Sequence, residues 1–181
     1  PDVRYPDGTE IATHFDLRAA MDLYAGLRPI RSYPSLPRVL IDKQAARIDL
    51  VVVREQSEGL LQSRLRGTVD DDGIARETMI ISRTGSRRVA EFAFHVAARR
   101  AKSRRRPGRV TCVDKANALV SMAFFRKVFD EVAATHPETQ ATHAYVDATA
   151  MNLVRSPWDF DVLLTENAFG GHDRISDNNL L

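Results

Sequence analysis

The chain has 181 residues, and its 26 basic and 24 acidic side chains are too nearly balanced to indicate a polyanionic partner. This length suffices for one domain that buries about 70% of its unfolded surface. The longest apolar runs fall far short of the ~20 residues of a membrane helix. No secretion signal is recognisable, and the single cysteine, Cys112, excludes an internal disulfide. We therefore expect a soluble, cytoplasmic protein with no membrane partner.

A first helix is predicted over residues 12–24, where apolar side chains recur at helical spacing. His14, Arg18 and Asp22 follow one another every four residues, so they share a polar face opposite the apolar one. Such a face is either exposed to solvent or part of a site, and the helix alone does not decide between the two.

Two strands are predicted after this helix, over residues 27–33 and 48–53, because both segments are rich in branched side chains. The second is apolar enough to lie in the centre of a sheet. Residues 65–81 contain the acidic turn 70–73 between extended segments, which favours a hairpin.

The second half of the chain alternates helices with strands, which is typical of an α/β domain. Periodicity and branched residues predict helices over 86–101, 122–134 and 149–154 and strands over 109–113, 144–146 and 161–165.

A basic run at residues 99–109 is the feature that suggests nucleic acid. It has no interleaved aromatic residue, so a solvated helix end is the favoured interpretation and no nucleic-acid partner is expected. Cys112 and Trp158 are interpreted as packed core residues.

Five residues stand in distinctive local contexts. Three are arginines: Arg18 in Asp-Leu-Arg, Arg28 in Leu-Arg-Pro and Arg54 in Val-Arg-Glu. Lys115 follows in Asp-Lys-Ala-Asn, and Asp147 in Tyr-Val-Asp-Ala. In these blocks, which cover nearly the whole chain in order, the sequence resembles the metal-dependent β-decarboxylating dehydrogenases, the family of isocitrate, isopropylmalate and tartrate dehydrogenases.

The resemblance implies an α/β fold of the isopropylmalate dehydrogenase type, mainly the small substrate and dimerisation domain with part of the large domain. Members of the family are longer than this chain, which resembles their middle. We expect residues 1–30 to belong to the large domain and 31–168 to form the small domain, with a dimer-clasping arm at about 62–82. Residues 169–181 would return to the large domain.

The resemblance assigns the three arginines to substrate carboxylates, a role that suits the planar, paired donors of guanidinium. Lys115 and Asp147 match residues that each subunit supplies to its partner's site, where the lysine takes a proton from the substrate hydroxyl. A homodimer with shared active sites is therefore expected. Asn117 matches a contact to the nicotinamide half of NAD. His14, one turn before Arg18, is a candidate for reading the substrate's side chain, although a helical histidine without such a role is commoner.

A metal site is implied by Asp173 and Asp177 together with Asp147. Carboxylates four residues apart face the same side of a helix, and their hard oxygens suit Mg²⁺ or Mn²⁺. Gly171 and His172 interrupt the family pattern just before this pair. The pair is therefore either displaced or retained, and the sequence leaves both open.

A second departure from the family pattern is Leu61, which stands where the family has a tyrosine that protonates the product carbanion. Leucine donates no proton, so the reaction uses water or another donor, or it stops at oxidation. This favours a tartrate-like or unassigned branch over a true isopropylmalate enzyme, with a small hydroxy-dicarboxylate or hydroxy-tricarboxylate as substrate.

We therefore expect NAD-dependent, metal-dependent oxidation, with decarboxylation, of a malate-type 2-hydroxy acid such as tartrate, D-malate, isocitrate or isopropylmalate. The family binds the adenosine half of NAD with segments beyond the matching part, and no glycine-rich dinucleotide motif replaces them here. The alternative is a truncated, catalytically inactive dimerisation module of the same family.

Overall fold

A five-stranded sheet with helices on both faces is the centre of the computed structural model, which describes residues 4, 6, 13–36, 40–63 and 66–172. No helix in these ranges combines the length and the apolar character needed to cross a bilayer. The strands are β1 (Ala25–Arg31), β2 (Asp49–Glu55), β3 (Thr68–Val69), β4 (Ala75–Arg76), β5 (Arg109–Asp114), β6 (Gln140–Tyr145) and β7 (Val162–Thr165). The α-helices are α1 (Thr13–Ala20), α2 (Arg83–Arg104), α3 (Val120–Ala133), α4 (Val146–Arg155) and α5 (Phe169–His172), with short 3-10 helices at Lys43–Arg47, Leu60–Ser63 and Pro157–Asp159.

The main sheet has the strand order β1-β2-β7-β5-β6. β2, β7, β5 and β6 are parallel, whereas β1 is antiparallel to β2 and places Arg28 opposite Val52. β2, β5 and β7 are covered on both faces, which explains their continuous apolar runs. Because parallel strands end at the same edge of a sheet, the residues that follow them converge there.

Two apolar layers enclose the sheet. One lies under α2 and α3 and contains Phe94, Phe125 and Phe129, none of them more than 1% exposed. The other lies under α4 and two of the short helices and contains Leu50 and Leu163. Successive residues of β2 point alternately into one layer and the other.

Most predicted elements are present with shifted ends. The hairpin is confirmed as the short pair β3–β4, whose turn includes Gly73 at a φ of 77°. The strand predicted at 144–146 is partly wrong, because β6 covers Gln140–Tyr145 and α4 begins directly after it. Cys112 is fully buried, which raises the pKa of its thiol, and Trp158 packs against the second apolar layer, as predicted.

The helix α1 ends at Ala20 and is shorter than predicted. Asp22 has a φ of 47°, the left-handed conformation that commonly follows a helix end, and Leu23 N donates to Arg18 O at 2.9 Å across the turn. Asp22 therefore lies beyond the helix rather than on the polar face where the sequence placed it.

The basic end of α2 closes the amino edge of the sheet. Arg100 Nε and Arg104 Nη1 donate to Asp161 Oδ1 at 2.8 and 2.7 Å, and both side chains also donate to the Asp49 main-chain oxygen. The side chains of Asp161 and the two arginines are at most 15% exposed. The favoured interpretation of a solvated helix end is therefore wrong for Arg100 and Arg104.

Candidate functional site

Three of the predicted site residues lie at the carboxyl edge of the parallel strands. Arg54 lies near the end of β2, and Lys115 and Asp147 follow β5 and β6. Adjacent strands are about 4.8 Å apart, so Arg54 and Lys115, which belong to strands two places apart, are separated by about 10 Å along the edge. The edge thus has an arginine half and a lysine–aspartate half.

Two of the predicted arginines are bonded to the segment that follows β7. Arg54 is 6% exposed, and its Nε and Nη2 donate to the main-chain and side-chain oxygens of Asn167 at 2.8 and 2.9 Å. Arg28 Nη1 donates to Gly170 O at 2.7 Å. Because Arg28 lies opposite Val52 and Arg54 two residues further along β2, both side chains are on the same face of the sheet.

A cavity of about 450 Å³ lies between α1 and the carboxyl end of β2. Phe15 and Arg18 line it from α1, and Leu61 and Asn167 line it from the other side. Burial lowers the pKa of Arg18, and the nearby charge of Arg28 lowers it further. The structure therefore places Arg18 at the wall of the cavity with the charge of Arg28 nearby, and the resulting positive charge suits an anionic ligand.

Arg88 of α2 bonds two residues that line this cavity and are distant along the chain. Its Nη1 donates to both carboxylate oxygens of Asp22 at 2.9 Å, and its Nη2 donates to Ser57 Oγ at 2.7 Å. The guanidinium also stacks over the Tyr24 ring, 4.6 Å from its centroid. Asp22 and Ser57 line the cavity from opposite sides, so Arg88 fixes the position of the turn after α1.

Lys115 and Asp147 form an ion pair, with 2.9 Å between Nζ and Oδ2. The hydrogen bond from Lys115 is the main cause that lowers the pKa of the Asp147 carboxyl group. The Asp147 side chain is 67% exposed and that of Lys115 28%. The structure thus places together the two residues that the sequence assigned to one function, on a surface that is open in the single chain.

Glu166 is fully buried behind the arginine half of the edge. Its Oε1 accepts a hydrogen bond from Phe169 N at 2.8 Å, and its Oε2 has no hydrogen-bond partner. Burial is the main cause that raises the pKa of this carboxyl group, and the charge of Glu55 adds to it. Gly59, at a φ of 86°, passes so close that a Cβ there would lie 2.7 Å from Oε2. The turn that carries Asn167 and Gly170 is therefore organised by a carboxyl group shielded from water.

The family model of isocitrate/isopropylmalate dehydrogenase matches residues 6–180 of the chain. The chain belongs to this family. It is 43% identical over 171 residues to the 3-isopropylmalate dehydrogenase of Thermotoga maritima, which is 93% of this chain and 46% of that relative. Identity to the 3-isopropylmalate dehydrogenase of Prochlorococcus marinus is 40% over 169 residues, 89% of this chain and 44% of the relative. The chain thus spans less than half the length of these relatives.

Two solved structures have the same fold over the part that matches this chain. Isocitrate dehydrogenase from Methylococcus capsulatus superimposes with a TM-score of 0.78 at 33% identity, over 97% of this chain and 50% of that one. A protein of known structure from Thermus thermophilus gives a TM-score of 0.82 at 31% identity, over 99% and 35%. The resemblance and the fold class inferred from the sequence are confirmed.

The remaining predicted site residues of this family member are placed less completely. Asn117 is exposed in the turn after β5. His14 belongs to α1, but its side chain, like Asp173 and Asp177, lies outside the described part of the chain. Within the described part, no group of three or more His, Cys, Asp or Glu residues is arranged to hold a metal ion. The site of three aspartates, with Asp147 as its described member, stays a prediction.

Three residues of the site were not singled out from the sequence: Arg88, Glu166 and Arg126, which bonds the aspartate before Lys115. Arg88 and Arg126 act through partners at least 12 residues away along the chain, whereas Glu166 is bonded to Phe169 three residues later. Glu166 had one local signal, because an acidic residue directly after a strand as apolar as β7 stands at the edge where parallel strands end.

Proposed function

We propose that this chain supplies the substrate-binding and dimer-forming part of an NAD-dependent, metal-dependent dehydrogenase that oxidises a malate-type 2-hydroxy acid and decarboxylates the product. The observation that carries the proposal is the carboxyl edge of the sheet, where a cavity lined by Arg18 lies at the end of β2 and a lysine–aspartate pair lies at the ends of β5 and β6. Isopropylmalate is the first substrate to test, because the curated relatives are 3-isopropylmalate dehydrogenases.

The proposed roles of the residues are those that the family resemblance implies, and the chemistry of the side chains suits them. Arg18 and Arg28 hold the substrate carboxylates, and Arg54 supports them from beneath through Asn167. Lys115 accepts the hydroxyl proton. Leu61 lines the cavity without a donor, so water or another group must protonate the product carbanion. His14 reads the substrate's side chain from α1.

Asp147 fits a hard divalent cation, because its carboxylate is exposed beside the edge and carboxylate oxygen is the ligand that Mg²⁺ and Mn²⁺ prefer. With Asp173 and Asp177 it would hold the ion, and Asn117 would contact the nicotinamide. When bound, NAD supplies the hydride acceptor and the cation supplies the Lewis acid that polarises the ketone.

A homodimer is part of the proposal. Exposed apolar side chains surround the lysine–aspartate pair, and such a patch is typical of a protein interface. They belong to the start of α3, to the end of β6 and to α4: Leu119, Val120, Tyr145, Met151 and Val154. If a second copy of the chain packs on this patch, Lys115 and Asp147 of the first copy would lie at the edge of the second copy's site. The short pair β3–β4 is proposed as the clasping arm.

The proposed domain limits are those expected from the sequence, with residues 1–30 and 169–181 belonging to the large domain and 31–168 to the small one. β1 spans the first limit and is hydrogen-bonded to β2 in the same sheet. The cytoplasmic location stays a prediction.

The second candidate is a dimerisation module without turnover. The bonds of Arg28 and Arg54 to Gly170 and Asn167 favour it, because they occupy donors that would otherwise bind substrate. In this case the chain dimerises through the exposed apolar patch and binds neither metal nor hydroxy acid.

Calorimetric titration separates the two candidates. The purified chain is titrated with isopropylmalate, D-malate and tartrate in the presence of Mn²⁺, with and without NAD, and its mass is measured by sedimentation. Binding of one acid that requires Mn²⁺ and is lost in Asp147→Asn, but not in Asp159→Asn at the exposed end of the short helix Pro157–Asp159, is the expected result. A folded dimer that binds no acid with Mn²⁺ would leave the dimerisation module as the function.

A further inference from the structure

Arg126 of α3 forms a two-point ion pair with the residue before Lys115. Its Nε and Nη2 donate to Asp114 Oδ2 and Oδ1 at 2.8 and 2.7 Å. The Asp114 side chain is 0% exposed, and that of Arg126 is 25% exposed. A paired, charge-assisted contact of this kind fixes direction as well as distance, because both planar groups must be coplanar.

Asp114, which is held by Arg126, also bonds the backbone next to Lys115. Its Oδ1 also accepts a hydrogen bond from Ala116 N at 2.8 Å, so the carboxylate holds the peptide unit that follows the lysine. The direction in which Lys115 leaves the end of β5 is therefore set by a buried carboxylate, which is in turn held by Arg126.

The same guanidinium reaches the neighbouring strand. Arg126 Cζ lies 5.2 Å from the centroid of the Tyr145 ring, within the range of a cation–π contact. Tyr145 is the register partner of Asp114 in the β5–β6 ladder and lies two residues before Asp147. Arg126 thus covers the last cross-strand pair of the ladder, from which Lys115 and Asp147 both emerge.

We propose that Arg126 is a positioning residue that holds Lys115 and Asp147 at ion-pair distance. The guanidinium clamps the ends of β5 and β6 together, so the two side chains leave the sheet side by side rather than diverging with the strand ends. Its value for catalysis rests on the function proposed above for Lys115 and Asp147, but the geometry is a property of the chain itself and is testable without turnover.

A carbodiimide joins an amine to a carboxylate without adding a spacer, so the yield of the amide reports how readily Lys115 and Asp147 come into contact. The reagent activates the exposed Asp147 carboxylate, Lys115 Nζ attacks it, and an amide forms with release of the urea. Mass spectrometry of the digested protein then quantifies the linked peptides. Asp147→Asn, which lacks the carboxylate, gives the background.

The informative comparison is Arg126→Lys with Arg100→Lys. Both substitutions keep the charge and remove the guanidinium fork of a largely buried ion pair, but Arg100 lies at the opposite edge of the sheet. We expect the cross-link yield to fall several-fold in Arg126→Lys and to stay unchanged in Arg100→Lys. In the active dimer, Arg126→Lys should lower kcat with little change in KM, because the arginines that bind substrate are untouched.

The double variant Asp114→Asn/Arg126→Gln removes the buried charge together with its partner, so it remains a test if Arg126→Lys does not fold. Circular dichroism establishes which variants are folded. A cross-link yield equal to that of the unmodified chain in either folded variant overturns the inference, whereas a loss in both with a normal yield in Arg100→Lys supports it. Because no substrate is involved, a chain without dehydrogenase activity can still pass or fail this test.

Discussion

Arg54 and Asn167 are joined by two hydrogen bonds, from Nε to the main-chain oxygen at 2.8 Å and from Nη2 to the side-chain oxygen at 2.9 Å. The Asn167 side chain in turn donates to Glu58 O at 2.7 Å. One asparagine therefore satisfies a buried arginine and a main-chain carbonyl at once, and it links the ends of β2 and β7 where they meet the cavity.

Replacing Asn167 by alanine should destabilise the chain by about 2–3 kcal/mol, because a buried charged donor and a carbonyl both lose their partner. Urea unfolding measures this loss. The exposed Asn117→Ala serves as the control and should change stability by less than about 0.5 kcal/mol. Equal stability of the two variants would show that the bonds of the Asn167 side chain to Arg54 Nη2 and Glu58 O contribute nothing to the fold.

Leu61→Tyr should raise decarboxylation relative to oxidation, because it places a phenolic hydroxyl at the wall of the cavity that Arg18 lines. General acid catalysis accelerates a reaction roughly 100-fold or more when the donor is well placed. We therefore expect the rate of decarboxylation relative to oxidation to rise about tenfold. The measurement is the ratio of carbon dioxide released to NADH formed. Leu61→Phe fills the same space without a hydroxyl and should show no gain. If both variants behave alike, protonation does not depend on this position.

The raised pKa of Glu166 predicts how stability changes with pH. The folded chain binds this proton more tightly than the unfolded chain, so the contribution of Glu166 is fully present below the ordinary value of 4.5 and is lost as pH rises through the raised pKa. Glutamine carries no titratable proton, so Glu166→Gln should not lose stability in this way. Its free energy of unfolding should therefore rise relative to that of the unmodified chain as pH increases. Unfolding in urea from about pH 4 to about pH 8 tests it. The exposed Glu138→Gln should run parallel to the unmodified chain.

Arg88→Met should loosen the turn after α1 and raise KM more than it lowers kcat. The variant loses the bonds to Asp22 and Ser57, and because Arg88 is 31% exposed the loss of stability should be only about 1 kcal/mol. Hydrogen exchange of the α1 amides should accelerate. Arg87→Met, one residue earlier and on the exposed side of α2, is the matched control. Unchanged exchange in Arg88→Met would mean that α1 is held by other contacts.

The sequence predicted the features of the fold that have a local cause. β2 and β7 were found because strands buried on both faces must be apolar throughout, and the acidic turn with Gly73 marked the hairpin. The end of α1 was missed because Asp22 adopts a left-handed conformation that few residues other than glycine favour.

The candidate site residues were singled out through the family resemblance, which named Lys115 and Asp147 but did not predict the ion pair between them. Ion pairs over long sequence distances have no periodic signal, and this is why the basic end of α2 appeared solvated although Arg100 and Arg104 are bonded to Asp49 and Asp161. Contacts of this kind become visible only when the topology is known.

Because of the ion cluster of Arg100, Arg104, Asp49 and Asp161, the two ends of the same strands differ in how well they tolerate substitution. At the amino ends, replacing one of these charged residues would leave a buried partner without its opposite charge. At the carboxyl ends, the cavity is lined by side chains such as Leu61, whose replacement breaks no buried ion pair. A lineage can therefore drift in substrate preference at one end of the sheet while the other end preserves the fold.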